Sequence, residues 1–276
     1  MIKIENLNYK YKSGEIVLEN INLEIHEGEI ISIIGKNGSG KSTLLSLIAG
    51  LYKPSKGHIF IDDIDTFSKK DTIELRKKVG IVFQNPDNQI LFPSVYDDIE
   101  FALNNLKIDN KKERIQQALE AVNMKEFMYK DSYELSLGQK QRINIASVLS
   151  IAPKYLLLDE PTTMVDSYEK EKIYNCFKKL KLEGYTIVFV TNNINEILLS
   201  DKIVIIENKQ IKKKFDKNNI LDNIQLLKES EIRIPDVLQI IMKLKENNIN
   251  VDIKDWTTDG LINSIVNQFT KFSQDE

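Results

Sequence analysis

The chain has 276 residues, 42% hydrophobic and 29% charged, which fits one large globular domain plus a small one. Its formal net charge is −3, so no basic field indicates nucleic-acid binding. Cys176 is the only cysteine, which excludes a disulfide framework and predicts a reducing compartment. No apolar run approaches the roughly 20 residues that span a bilayer, and the first residues lack the apolar core of a signal peptide. Any membrane role therefore requires a partner.

The start of the chain predicts an antiparallel, half-buried sheet. Apolar and polar residues alternate between Ile2 and Tyr11, and residues 17–25 continue this period-2 spacing loosely. Residues 29–34 are instead a nearly continuous β-branched run, as expected of a strand buried on both faces.

A phosphate-binding loop is predicted directly after this strand. Residues 35–42, GKNGSGKS, fit the pattern G-x-x-x-x-G-K-[ST] between a buried strand and a helix predicted over 42–49. The glycines let backbone N–H groups surround phosphate oxygens, and the helix N-terminus adds positive potential. We expect Lys41 to bridge the β- and γ-phosphates and Ser42 to bind Mg²⁺. The predicted ATP-binding residues of this loop are Gly35, Lys36, Asn37, Gly38, Ser39, Gly40, Lys41, Ser42 and Thr43.

Further buried strands alternate with helices. Apolar runs at 79–83, 155–158, 186–190 and 202–206 predict strands, and residues near 88–150 predict a helical insertion. The expected fold is α/β, a P-loop NTPase (RecA-like) with a mainly parallel sheet, an antiparallel β subdomain and an inserted helical subdomain.

Two carboxylates end the strand at 155–160, YLLLDE. Carboxylates at the end of an apolar strand are costly unless they meet a cation and water at the sheet edge. We expect Asp159 to hold Mg²⁺ and Glu160 to orient and deprotonate the attacking water. A helix N-cap at Asp159 is the structural alternative.

The pattern changes after about residue 215, so we predict a nucleotide-binding domain at 1–215 and a small C-terminal helical extension at 216–276. Pro235 and Asp236 open a helix. Its apolar residues, followed by those of a second helix, are Val237, Ile240, Ile241, Leu244, Ile262, Ile265, Val266 and Phe269. This tail is too short for its own core, so it must dock on the main domain or on another subunit.

Residues 135–142, LSLGQKQR, lie shortly before the Asp159–Glu160 strand and resemble the signature motif of ABC ATPases. Gln84 resembles the family's Q-loop glutamine, which completes the metal and water site. Asp166 resembles the D-loop aspartate. Tyr11 resembles the aromatic residue that stacks on adenine, although a core tyrosine is the alternative. The likeness covers residues 1–215.

The resemblance implies a dimer that hydrolyses ATP. Ser136, Gly138 and Gln139 would contact, together with Asp166, the nucleotide held by the opposite subunit. ATP would then close the dimer, and hydrolysis would release it.

Residues 75–89 resemble, within this family, the ATPases of energy-coupling factor importers, which take up vitamins, cobalt or nickel. So do residues 160–166 and the tail around Pro235. The resemblance implies a peripheral subunit at the cytoplasmic face of the cell membrane. Its partners would be a second ATPase, identical or paralogous, a transmembrane coupling protein and a substrate-binding membrane subunit. An ATPase of another ABC transporter and a soluble ABC protein acting on ribosomes or DNA are the rival interpretations.

Asn192 departs from the family pattern, which has a histidine contacting the γ-phosphate at this position. Asparagine can donate a hydrogen bond but cannot become a cation. One hypothesis is that this chain's own site hydrolyses slowly, or only gates, while a partner carries the better site. The other is that Asn192 suffices for positioning. Leu137 also replaces a common signature glycine.

Overall fold

The computed structural model describes residues 1–68, 70–247, 249, 256 and 260–266. The strands are β1 (Ile2–Lys10), β2 (Ile16–Ile25), β3 (Ile30–Ile34), β4 (Lys56–Ile61), β5 (Ile64–Asp65), β6 (Val79–Val82), β7 (Tyr155–Asp159), β8 (Thr186–Val190), β9 (Lys202–Glu207) and β10 (Gln210–Asp216). The helices are α1 (Lys41–Ile48), α2 (Thr72–Lys78), α3 (Val95–Asn105), α4 (Lys111–Ala121), α5 (Leu137–Ser150), α6 (Ser167–Leu182), α7 (Ile194–Leu199), α8 (Ile224–Glu229) and α9 (Asp236–Glu246). Residues 260–266 are also helical. Short 3₁₀ turns lie at Pro86–Asn88, Lys125–Phe127, Ser132–Glu134, Lys217–Asn219 and Leu221–Asn223.

A six-stranded sheet in the order β10-β9-β3-β8-β7-β6 forms the centre of the molecule. All of its neighbouring pairs are parallel except β10 with β9. Every residue of β3 is buried, as its β-branched run predicts for a strand covered on both faces. Parallel strands place their carboxyl ends at one edge, so the segments that follow β3, β6, β7 and β8 converge there. The predicted mainly parallel α/β fold is confirmed.

A second, four-stranded sheet in the order β2-β1-β4-β5 is antiparallel. Its buried residues, among them Ile4 and Leu18, share one apolar cluster with Leu44 of α1 and Ile33 of β3. The antiparallel subdomain therefore packs directly against the elements that flank the phosphate loop.

The insertion predicted near 88–150 contains α3, α4 and α5. Ile115 and Leu119 of α4 are buried against Ile143 of α5 in one core cluster, as their helical spacing predicts.

Cys176 is also buried, and burial raises the pKa of its thiol to about 11, so it behaves as a small apolar residue. No described helix has the length and apolar character needed to cross a membrane.

The described part of the C-terminal extension docks on the main domain. Leu227 of α8 and Leu238 of α9 belong to the same buried cluster as Ile203 of β9 and Ile34, the residue that precedes the phosphate loop. An extension too short for its own core thus shares the core of the sheet.

The buried face of the extension matches the predicted one in part. Ile241 is buried as predicted, and Val237, Leu244 and Ile265 pack against the same cluster. Leu238 is fully buried, whereas Ile240 is 45% exposed. In the last helix Leu261 is buried, while Ile262 and Val266 are exposed. The predicted member Phe269 lies outside the described residues.

We expect Leu238→Ala to lower the free energy of unfolding of the full-length chain by about 2–5 kcal/mol, because it empties a filled core position. Ile240→Ala, two residues away on the exposed side of the same helix, is the matched control and should change stability by less than about 0.5 kcal/mol. Denaturant unfolding measures both. Equal losses would contradict docking of α9 through Leu238.

Candidate functional site

The phosphate loop connects β3 to α1, and its glycines are required by geometry. Gly40 precedes α1 in the left-handed region, at φ +99°. A Cβ on Gly35 would lie 2.3 Å from the carbonyl oxygen of Ile206. The Lys41 ammonium donates hydrogen bonds to the carbonyls of Gly35 at 2.7 Å and Lys36 at 3.1 Å. The lysine therefore crosses the inside of the loop.

The first carboxylate of the β7 edge lies against this loop. The Ser42 hydroxyl donates a hydrogen bond to Asp159 Oδ1 at 2.8 Å. Burial raises the pKa of Asp159, with the Glu160 charge adding to the effect, while the Ser42 hydrogen bond and Lys41 oppose it. A buried carboxylate with a raised pKa gains stability from a nearby cation.

These two oxygens fit a magnesium ion. Mg²⁺ prefers hydroxyl, carboxylate, phosphate and water oxygens, and it commonly takes only one or two protein ligands beside substrate phosphates. Within the part of the chain that the structure describes, no cluster of three or more acidic, histidine or cysteine residues could hold a metal by itself. Ser42 and Asp159 therefore suit an ion that is shared with a nucleotide.

Glu160 is held by the two segments beside it. Its Oε2 accepts hydrogen bonds from the Gln84 amide at 2.9 Å and from the Thr163 hydroxyl at 3.0 Å. Its backbone N–H donates to the carbonyl of Val190 at 2.8 Å, and its φ of +44° lies in the left-handed region, which is strained for a residue with a side chain. The ends of β6, β7 and β8 thus meet at Glu160.

A cavity of about 570 Å³ opens above the loop. Predicted residues that line it are Tyr11, the loop residues 36–43 and Glu160. Tyr11 is 36% exposed and donates to, or accepts from, the Thr43 hydroxyl at 2.7 Å, so its ring belongs to the cavity wall rather than to the core. Sequence reasoning missed further lining residues, which carry no motif: Glu15, Ile16, Val17, Ile206, Glu207, Asn208, Lys209 and Ser230.

The signature and D-loop residues form no part of this cavity wall. Ser136 caps α5 by accepting from the Gln139 N–H at 3.2 Å, and the Gln139 side chain accepts from the Ser136 N–H at 2.9 Å. Asp166 caps α6. A Cβ on Gly138 would lie 2.7 Å from Glu169, so only glycine lets α5 and α6 approach this closely.

The segment after β8 contains a buried polar network that sequence reasoning missed. The Thr162 hydroxyl donates to Glu196 at 2.6 Å, and the Asn193 amide donates to Tyr174 at 2.7 Å and Thr162 at 3.3 Å. Burial raises the pKa of Glu196 to about 7. Asn192 lies beside this network, and its buried Oδ1 accepts no hydrogen bond from the described residues.

A sequence model of the ABC transporter family matches residues 18–163. The chain belongs to the ABC transporter family. It is 41% identical over 91% of its length to the energy-coupling factor transporter ATP-binding protein EcfA1 of Oenococcus oeni, of which 91% is covered. The EcfA1 protein of Fusobacterium nucleatum is 38% identical over 95% of this chain and 97% of its own length.

Solved structures agree with this assignment. CbiO1 from Clostridium perfringens, part of the ABC transporter complex CbiONQ, has a TM-score of 0.74 and 34% identity, over 87% of this chain and 98% of that one. The dimeric ATP-binding cassette MJ0796 bound to ADP and Pi has a TM-score of 0.71 and 34% identity, over 78% of this chain and 98% of that one. The predicted ABC fold and its resemblance to energy-coupling factor ATPases are confirmed, and ATP binding with transport-coupled hydrolysis is the family's activity.

Replacing Lys41 with alanine should weaken ATP binding roughly 10- to 100-fold, because a hydrogen bond from a charged group contributes about 1.5–3 kcal/mol. Lys213→Ala, on the exposed face of β10, is the control for the loss of one positive charge. Calorimetric titration with ATP measures both. Unchanged affinity in Lys41→Ala would contradict the phosphate-loop assignment.

Glu196 should make stability depend on pH. Its pKa rises from the usual 4.5 to about 7 in the folded chain, so between these values the folded state binds more protons than the unfolded state. The contribution of Glu196 to the free energy of unfolding is therefore fully present below pH 4.5 and is lost as pH rises through about 7. Glu196→Gln should remove this slope, which amounts to at most about 3 kcal/mol.

Denaturant unfolding of both proteins between pH 5 and 8 tests this dependence. Parallel curves for wild type and Glu196→Gln would contradict a buried, proton-binding Glu196.

Proposed function

We propose that this chain is the ATP-hydrolysing subunit of an energy-coupling factor importer, which drives uptake of a vitamin, cobalt or nickel. The names of its relatives support this assignment. The observation that carries the hydrolytic function is the convergence of Lys41, Asp159, Glu160 and Gln84 at one edge of the sheet.

This geometry supports the following roles within one chain. The backbone of the phosphate loop and Lys41 bind the triphosphate, and the exposed ring of Tyr11 stacks on the adenine. Ser42 and Asp159, together with Gln84, would hold Mg²⁺, which would supply positive charge to the phosphates. Glu160 orients the attacking water and accepts its proton, and Asn192 donates its amide to the γ-phosphate.

A second ATPase completes the site. Ser136, Gly138, Gln139 and Asp166 lie outside their own chain's cavity wall, and the first three form the N-terminus of a helix whose N–H groups favour an anion. We assign them to the γ-phosphate of the opposite subunit, so that ATP binding closes the dimer and hydrolysis opens it. The dimeric form of the MJ0796 cassette supports this arrangement.

The remaining partners are membrane proteins. We propose a transmembrane coupling protein and a substrate-binding membrane subunit, with this chain peripheral at the cytoplasmic face. The partner ATPase is a second copy or a paralogue. The net charge of −3 favours these partners over nucleic acid.

Glu160→Gln in the purified transporter assembly should reduce ATP turnover at least about 100-fold, the size expected when a general base is lost, and should leave ATP affinity within about threefold. Glu15→Gln, in the same cavity wall, controls for the loss of one carboxylate there. Steady-state phosphate release and ATP titration measure the two effects. Background rates for both wild type and Glu160→Gln would reject the enzyme and leave a nucleotide-gated subunit, the role that a non-cationic Asn192 would suit.

A further inference from the structure

The segment 228–236 of the C-terminal extension runs from the nucleotide cavity to a second cleft beside it. Ser230 lines the nucleotide cavity. Arg233, three residues later, lines a cleft of about 880 Å³ together with Asn192. Burial lowers the pKa of Lys41, and the carboxylate of Glu231, between Ser230 and Arg233, is one of the negative charges that oppose this shift. The extension therefore contributes Ser230 to the wall of the nucleotide cavity and Arg233 to the cleft that contains Asn192.

The backbone at Arg233 is fixed on both sides. Ile232 and Ile234 are buried in the cluster that contains Ile34, the residue directly before the phosphate loop. The arginine side chain between these two anchors is exposed. Its position is therefore tied to the same core that positions the loop.

The guanidinium of Arg233 has no carboxylate partner within the part of the chain that the structure describes. Lys170 and Lys228 line the same cleft, against one carboxylate, Asp236. Excess positive charge and an unpaired planar donor group suit a phosphate oxygen.

With Asn192 in the position of the family's histidine, this site has no cationic donor from the segment after β8. Charge develops on the oxygens of the transferred phosphoryl group, and a cationic donor stabilises it more strongly than an amide does. Asn192 supplies only an amide, and its own buried Oδ1 lacks a donor among the described residues.

We propose that Arg233 is a catalytic residue whose guanidinium contacts the γ-phosphate held by the phosphate loop of its own chain. This inference rests on the proposed function. In the step, the water oxygen bonds to the γ-phosphorus while the bond from that phosphorus to the β–γ bridging oxygen breaks. ADP leaves with the bonding electrons, and Glu160 accepts the water proton. Arg233 exchanges no proton and stabilises charge on the γ-phosphate oxygens.

The test compares Arg233→Gln and Arg233→Lys in the purified full-length assembly. We expect kcat for ATP to fall at least about 10-fold in Arg233→Gln, with KM within about threefold, and less in Arg233→Lys, which keeps the charge but not the planar fork. Lys245→Gln is the control, since Lys245 lies on α9 of the same extension and pairs with Asp222 on the surface at 2.9 Å. Its kcat should stay within about twofold, as expected for a surface pair.

A double variant separates catalysis from folding. Arg233→Gln combined with Asn192→His, assayed at pH 6.5 where about half of an unperturbed imidazole is charged, should recover most of the lost kcat. No recovery, or wild-type kcat in Arg233→Gln while Glu160→Gln is inactive, overturns this inference and leaves the proposed function standing. Wild type at the background rate rejects the proposed function itself.

Discussion

The site depends on one constraint, the parallel alignment of β3, β6, β7 and β8. Because these strands end at one edge, the lysine that follows β3 and the carboxylates that follow β7 lie close together without any long-range loop. Burial lowers the pKa of Lys41 and raises the pKa of Asp159, so their mutual attraction and the Ser42 hydrogen bond offset the cost of burial only in part. The ammonium of Lys41 and the carboxylate of Asp159 are therefore stabilised further when a polyanion and its cation bind.

The C-terminal extension is tied to this edge by packing. Its buried residues join the cluster of Ile34, so displacement of the extension would disturb the strand that leads into the phosphate loop. In an importer of the proposed type, this packing offers a route by which pairing between ATPase subunits could act on nucleotide chemistry. Ile240, Ile262 and Val266 are exposed apolar residues on the same extension.

Much of the fold and site was predictable because local pattern and chemistry agree. The strand at 155–160 is apolar up to two carboxylates, and the loop at 35–42 joins a buried strand to a helix. The residues around each motif therefore predict where in the fold the motif lies. Ser230 was not predictable, since it carries no motif and reaches the cavity wall only through tertiary packing. The face of α9 was predictable only in part for a similar reason. The predicted stripe of Val237, Ile240, Ile241 and Leu244 omits Leu238, and the surface on which α9 docks buries Leu238 and leaves Ile240 exposed.

In the proposed dimer, one chain binds the triphosphate while the other caps it. A photoreactive group on the γ-phosphate of ATP, activated in the intact assembly, tests this claim most directly when the labelled peptides are mapped by mass spectrometry. The account predicts labelling of the signature residues Ser136 to Gln139 in the assembled dimer, and its loss when the ATPases are separated. Labelling confined to the phosphate loop throughout the cycle would contradict it.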